Sequence, residues 1–169
     1  QATGTTVVTT NAALTNVLNA GTGDVTLGNT GNNLRGRVDV TADAVSIKDD
    51  TGGVVLGNVS AGSLTVNTAT GNGAITQATG TTVVTSNAAV AVTLNAGTGD
   101  ITLANNGNNL VGTQVNATGD AVSLKDDTGG VVLGNVNSTS LAVTAAGGNG
   151  AAGAVDGAAL VTREEAGVG

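Results

Sequence analysis

Two stretches carry residue types that do chemistry. Lys48-Asp49-Asp50-Thr51-Gly52-Gly53 opens the string KDDTGGVVLGNV at 48–59, which returns letter for letter at 125–136 with Lys125, Asp126 and Asp127 in the same places. Adjacent carboxylates beside a Gly-Gly turn suit Ca²⁺, which takes roughly six to eight oxygens at 2.3–2.6 Å. No cofactor is expected of this chain; a weakly bound Ca²⁺ at Asp49 and Asp50, and again at Asp126 and Asp127, is the one weak metal candidate. Each pair would draw most of its coordination from carbonyls and water. The plainer reading is a solvated turn, for which Asp and Gly are conformationally suited. Asp24, Asp43, Asp100 and Asp120 form a second acidic set, each just ahead of an apolar strand-like segment. Stacked on neighbouring turns they would repel unless a cation neutralised them; solvent exposure is the simpler account.

Other chemistry is poorly supplied. The chain has no His, Cys, Phe, Tyr, Trp, Met or Pro, and its five basic residues are Arg35, Arg37, Lys48, Lys125 and Arg163. Polysaccharide-cleaving enzymes need carboxylates with charge-stabilising bases, and usually aromatic platforms for sugar rings. No catalytic residue is assigned. GNGAAG at 148–153 has the spacing of a dinucleotide fingerprint but lacks the strand–turn–helix context that gives it meaning. GGNGAA at 147–152 approaches a calcium-binding nonapeptide, with Ala152 where that pattern needs Asp. A net charge of −7 without a basic run argues against nucleic acid. No apolar run approaches the roughly 20 residues of a membrane-spanning helix. Asn-x-Ser/Thr triplets at Asn58, Asn116 and Asn137 are what chance gives in so Asn- and Thr-rich a chain.

The elements that hold these residues are repetitive. QATGTTVVT at 1–9 returns at 77–85, NAGTGD at 19–24 at 95–100, and GNNL at 31–34 at 107–110, all shifted by 76; later strings are shifted by 77. We read one segment, 1–169, with repeats 1–76 and 77–153 and a partial third at 154–169. Strand-like segments place an apolar residue at Val7, Val25, Val45, Leu64, Val83, Ile101, Val122, Leu141 and Leu160, about 19 residues apart, and six of them add a second apolar residue two positions on, the others having Thr9, Thr85 and Thr162 there. Segments such as LRGRVDV, VVLGNV and AITQA lie between them, separated by Gly and Asn, which tolerate tight corners. No capped amphipathic window predicts a helix. The pattern predicts an all-β, parallel β-helix (β-solenoid) of about 19 residues per coil and about nine coils. Its right hand follows from the crossover rule. Stacked coils explain the missing aromatics, because Val, Ile and Leu stack on themselves in a narrow core. Corner asparagines, Asn19 with Asn95 and Asn58 with Asn135, are candidates for amide ladders. The outward residues Val8, Thr26, Ser46, Thr65, Val84, Thr102, Ser123, Ala142 and Val161 are only partly hydroxylated, a poor match to an ice-binding face.

Residues 19–77 also resemble the repeats of very large exported bacterial proteins of the filamentous haemagglutinin type. The likeness rests on Asn32–Leu34, Val38–Val40, LGNV at 56–59, LTV at 64–66 and AITQ at 74–77. The second copy keeps Asn108–Leu110, LGNV at 133–136 and Leu141–Val143, and degrades AITQ to AAGA at 151–154. Leu34 and Leu110 stand where the family often has Phe. A chain without proline cannot carry the Asn-Pro motifs of the family's secretion domain. The resemblance implies a right-handed β-helical shaft, extracellular or on the bacterial cell surface, its partners being flanking repeats or further copies stacked end to end and a bacterial or host surface or matrix. Gln1 matches Gln77 in mid-repeat, so a piece of a longer solenoid or a polymerising subunit is expected. A structural shaft is therefore the leading function, a glycan- or surface-binding β-helical module the second, and a fragment of a polysaccharide-active enzyme the third.

Overall fold

Alternating apolar and polar residues, interrupted every few positions by Gly, Asn and Asp, favour short strands with one buried face over any longer element. In the computed structural model, residues 1–146 and strands Val155–Asp156 and Ala159–Glu164 are described; among them every regular element is a β-strand and every pairing is parallel. The strings at 147–153 and half of the partial third repeat lie outside the described residues. No helix is long and apolar enough to cross a membrane among the described residues.

The strands stack in two main columns that the chain visits alternately. Column A runs from Val25–Leu27 through 45–47, 64–66, Val92–Asn95, Val115–Thr118 and Leu133–Asn137 to Val155–Asp156. Column B runs from Thr15–Asn19 through 37–41, 55–56, Ile75–Gln77, Ile101–Leu103, Ala121–Asp126 and Ser140–Ala146 to Ala159–Glu164. On the way from B to A, 59–61 pairs with Val83–Thr85, which pairs with Asn109–Leu110. The result is a β-solenoid of about seven turns.

The winding departs from the expected one. Register partners are separated by as few as 18 residues, Arg37 with Val55, and as many as 28, Thr65 with Thr93. The nine apolar positions 19 apart do not form one column. Val25, Val45 and Leu64 stack in column A, whereas Ile101, Val122 and Leu141 stack in column B. Val83 sits on Val59 between the columns, and Leu160 is level with Ala142. Strands of both columns carry the same apolar–x–apolar signature, so that signature marks a strand without marking its column. Counting column visits from Val25 to its repeat partner Ile101 gives seven half-turns, so a 76-residue repeat is three and a half turns. Successive repeats therefore exchange columns A and B and face opposite sides of the rod.

A single apolar cluster fills the space between the columns. Leu56, Leu64, Ile75, Leu94, Ile101, Leu103 and Leu124 are wholly buried, each contributing about 1.5–3 kcal/mol by leaving water. With coils about 4.8 Å apart, most of these side chains rest on another aliphatic one, as Ile75 does on Val54 and Ile101, and Leu124 on Leu103 and Val143, and no aromatic ring is needed to fill the gap.

Candidate functional site

The duplicated string forms one corner and the strand after it. Asp49 follows the strand Arg37–Lys48 and is fully buried. Its Oδ2 accepts the Leu34 N–H of the turn below at 2.6 Å; its Oδ1 accepts Thr51 N–H at 3.0 Å and Gly52 N–H at 3.2 Å. Asp126, also fully buried, repeats this with Leu110 at 2.7 Å, Thr128 at 2.9 Å and Gly129 at 3.0 Å. These two carboxylates are anchors inside the corner, not solvated turn residues. Because repeats exchange columns, the anchors lie three and a half turns apart on opposite sides of the rod, not four turns apart on one.

The second carboxylate of each pair lies nearer the surface, the Asp50 side chain 9% and the Asp127 side chain 23% exposed. Asp50 Oδ2 accepts Gly31 N–H at 2.9 Å, and Lys48 Nζ lies 3.4 Å from its Oδ1. Partial burial opposes its charge, but the Gly31 N–H, the Thr70 hydroxyl and the Lys48 ammonium outweigh that cost and hold the Asp50 carboxyl below the usual aspartate range. Asp127 Oδ2 likewise accepts Gly107 N–H, and Lys125 Nζ lies 3.5 Å from Asp127 Oδ1. Lys125 Nζ also donates to Asn106 Oδ1 at 2.8 Å; the first copy has Thr30 at that place. Of the four calcium candidates, Asp49 and Asp126 thus spend both oxygens on backbone N–H groups, and a cation at Asp50 or Asp127 would compete with a lysine. No cluster of three or more His, Cys, Asp or Glu side chains occurs among the described residues.

The strand half of the string, LGNV, makes a β-bulge. Val38 pairs with Leu56 and Val40 with Val59, leaving one extra residue on the upper strand, and the same shift recurs between Val115 and Ala117. The bulge N–H of Asn58 is taken by Asp39 Oδ1 at 2.9 Å, and that of Asn135 by Asn116 Oδ1 at 2.9 Å. Glycine precedes each because the accepting side chain occupies the space: a Cβ on Gly57 would lie 1.8 Å from Asp39 Oδ1, and one on Gly134 would lie 2.3 Å from Asn116 Oδ1.

The other acidic set is not brought together. Asp24 is level with Ala44, whose N–H it accepts at 3.1 Å, and Asp100 accepts Ala121 N–H at 3.1 Å. Asp43 and Asp120 instead sit above Gly23 and Gly99, donating their own N–H to those carbonyls at 2.8 and 2.9 Å. All four are exposed. Beside them run two equivalent shallow grooves, one lined by Thr22, Thr41, Asp43 and Ser60, the other by Thr98, Thr118, Asp120 and Asn137.

A buried amide clamp is the feature that residue-by-residue reading passes over. Asn108, fully buried, accepts Val83 N–H at 2.8 Å and Gln77 Nε2 at 2.7 Å, and donates to Leu103 O at 3.3 Å and Gln77 Oε1 at 3.0 Å. Asn32 does the same with Val7, Gln1 and Leu27. The signal was present: Gln and Asn are 31 residues apart in both copies. The expected amide ladders do not form. Asn19 and Asn95 each close their own turn by accepting the N–H two residues on, Gly21 and Gly97, and Asn58 Oδ1 accepts Thr82 N–H.

The family described as repeats of unknown function (DUF5649) matches residues 42–117. That span is as long as one 76-residue repeat and crosses the junction between the two copies. No curated protein and no solved structure matches the chain. The chain is, on fold and sequence together, a repeat β-solenoid.

Proposed function

We propose that the chain is a force-carrying shaft segment of a large extracellular bacterial adhesin or filament of the filamentous haemagglutinin type. Flanking repeats or further copies would stack end to end on it, and it would have no catalytic role of its own. The observation that carries this reading is the use made of buried polar groups. Asp49, Asp126, Asn32 and Asn108 each tie one turn of the coil to the turn beside it. A backbone ladder reinforced at its corners in this way resists extension along the rod. The extracellular placement is supported by the sequence resemblance alone. Arrays of one to four repeats, viewed by electron microscopy, test the shaft: length should grow by about 17 Å per repeat, three and a half turns at the strand spacing. Particles whose longest dimension does not grow with repeat number would overturn it. Antibody labelling of intact against permeabilised cells tests the placement.

A second reading, a glycan- or surface-binding module, is favoured by the paired grooves at Asp43 and Asp120, which repeat on opposite sides of the rod. Glycan-array binding by the chain that is lost in an Asp43→Ala, Asp120→Ala variant would promote it over the first.

A further inference from the structure

Lys125, Asn106 and Asp127 form a cluster for which a shaft has no need. Lys125 lies in the strand Ala121–Asp126 and Asp127 in the bend that follows it, and their side chains meet as an ion pair. Asn106 belongs to the turn one coil below. Lys125 Nζ lies 2.8 Å from Asn106 Oδ1 and 3.5 Å from Asp127 Oδ1. Asn106 is itself exposed, but the groups around it are held in place. Gly107 N–H fixes the other oxygen of Asp127. The turn carrying Asn106 is pinned on one side by Asn105, whose Nδ2 donates to Ala78 O at 2.6 Å and Thr81 O at 3.1 Å, and on the other by the buried Asn108 clamp. The lysine and aspartate side chains are only 19% and 23% exposed. An amine, a carboxamide and a carboxylate held in contact satisfy the geometric requirement for an intramolecular acyl transfer, which proximity makes effectively unimolecular.

We propose that Lys125 and Asn106 become joined by an isopeptide bond, with Asp127 as the proton carrier. Asp127 takes a proton from the Lys125 ammonium, and the freed Nζ lone pair attacks Asn106 Cγ. The Nζ–Cγ bond forms, Asp127 passes the proton to Nδ2, and the Cγ–Nδ2 bond breaks. The two protons lost by Nζ depart with Nδ2 as ammonium, leaving a secondary amide and an unchanged Asp127 carboxylate. No oxidant, reductant or co-reactant enters. The product staples adjacent coils covalently in the second repeat alone. In the first repeat Lys48 and Asp50 stand at the same spacing, 3.4 Å, but Thr30 offers no amide. The inference does not depend on the shaft reading.

Mass spectrometry of the denatured chain tests it. The bonded chain should weigh about 17 Da less than its sequence, the mass of one ammonia lost to the attacking amine. Trypsin should then fail to cut after Lys125 and release 49–163 as one internally looped peptide. Asn106→Thr, which installs the first repeat's residue, should restore both the full mass and the cut. Asp127→Asn should slow or abolish bond formation in a chain with unchanged circular dichroism. A full sequence mass with cleavage at Lys125 would overturn the proposal. So would the mass loss with Lys125 still cut, which places the lost ammonia elsewhere, as in cyclisation of Asn106 onto Gly107 or of Gln1 onto its own amine.

Discussion

A carboxylate taken out of water is costly unless hydrogen bonds replace its hydration, and Asp49 meets that cost with three backbone N–H groups. Those donors need the carboxylate as much as it needs them. Asp49→Ala strands them and should destabilise the chain by about 2–4 kcal/mol. Asp49→Asn, which keeps one accepting oxygen but turns an amide nitrogen toward a donor, should cost about half as much by the same reasoning. Urea unfolding measures the total. Hydrogen exchange at the Leu34 amide, faster in both variants, localises it; an unchanged Leu34 rate would remove Asp49 from its anchoring role. Asp50 adds a dependence on pH. Its folded carboxyl titrates below the ordinary aspartate value, so the unfolded chain binds the proton first as pH falls. The stabilisation is complete above the unfolded value, near pH 4, and is lost as pH drops through the lower folded one. Asp50→Asn should therefore flatten the fall in stability below about pH 4, read from unfolding curves at stepped pH.

At the scale of the element, the bulge explains why LGNV recurs where a plain strand would not need to. An extra residue frees one N–H from the ladder, a side chain from the turn below accepts it, and only glycine leaves room for that side chain. Gly57→Ala or Gly134→Ala should cost about 1–3 kcal/mol through overpacking. Gly52→Ala, where an added Cβ meets nothing within 4 Å, should stay within about 0.5 kcal/mol of the parent. Thermal unfolding of the three variants separates the two cases, and equal costs at Gly52 and Gly57 would dismiss the steric account. Strand identity was legible in the apolar–x–apolar pattern. The bulge was not, because it is set by what Asp39 and Asn116 do one turn lower, a contact between residues 19 apart that no local pattern encodes.

For the whole molecule, parallel stacking was legible for a physical reason: a chain without aromatics, repeating short apolar strands between Gly and Asn corners, can bury them only against copies of themselves. The winding was not, because columns A and B are built from interchangeable words. The duplicated acidic corner shows the consequence, since identical strings at 48–59 and 125–136 enter the rod from opposite sides. Two neighbour relations separate this winding from a uniform 19-residue coil. Thr76 and Thr102, 26 residues apart, are register partners in column B, whereas Val84 and Thr102, 18 apart, are not adjacent, Val84 being level with Ser60 and Asn109 instead. Cysteines at Thr76 and Thr102, labelled with pyrene, should stack about 4.8 Å apart, one strand spacing, and give strong excimer emission. The same labels at Val84 and Thr102 should give monomer emission, and the reverse pattern would replace the three-and-a-half-turn repeat with a four-coil one. If the first pattern holds, every surface feature of one repeat reappears on the opposite side of the next. An array of such repeats then presents each groove on both sides of the rod, and recovers its original face only after two repeats.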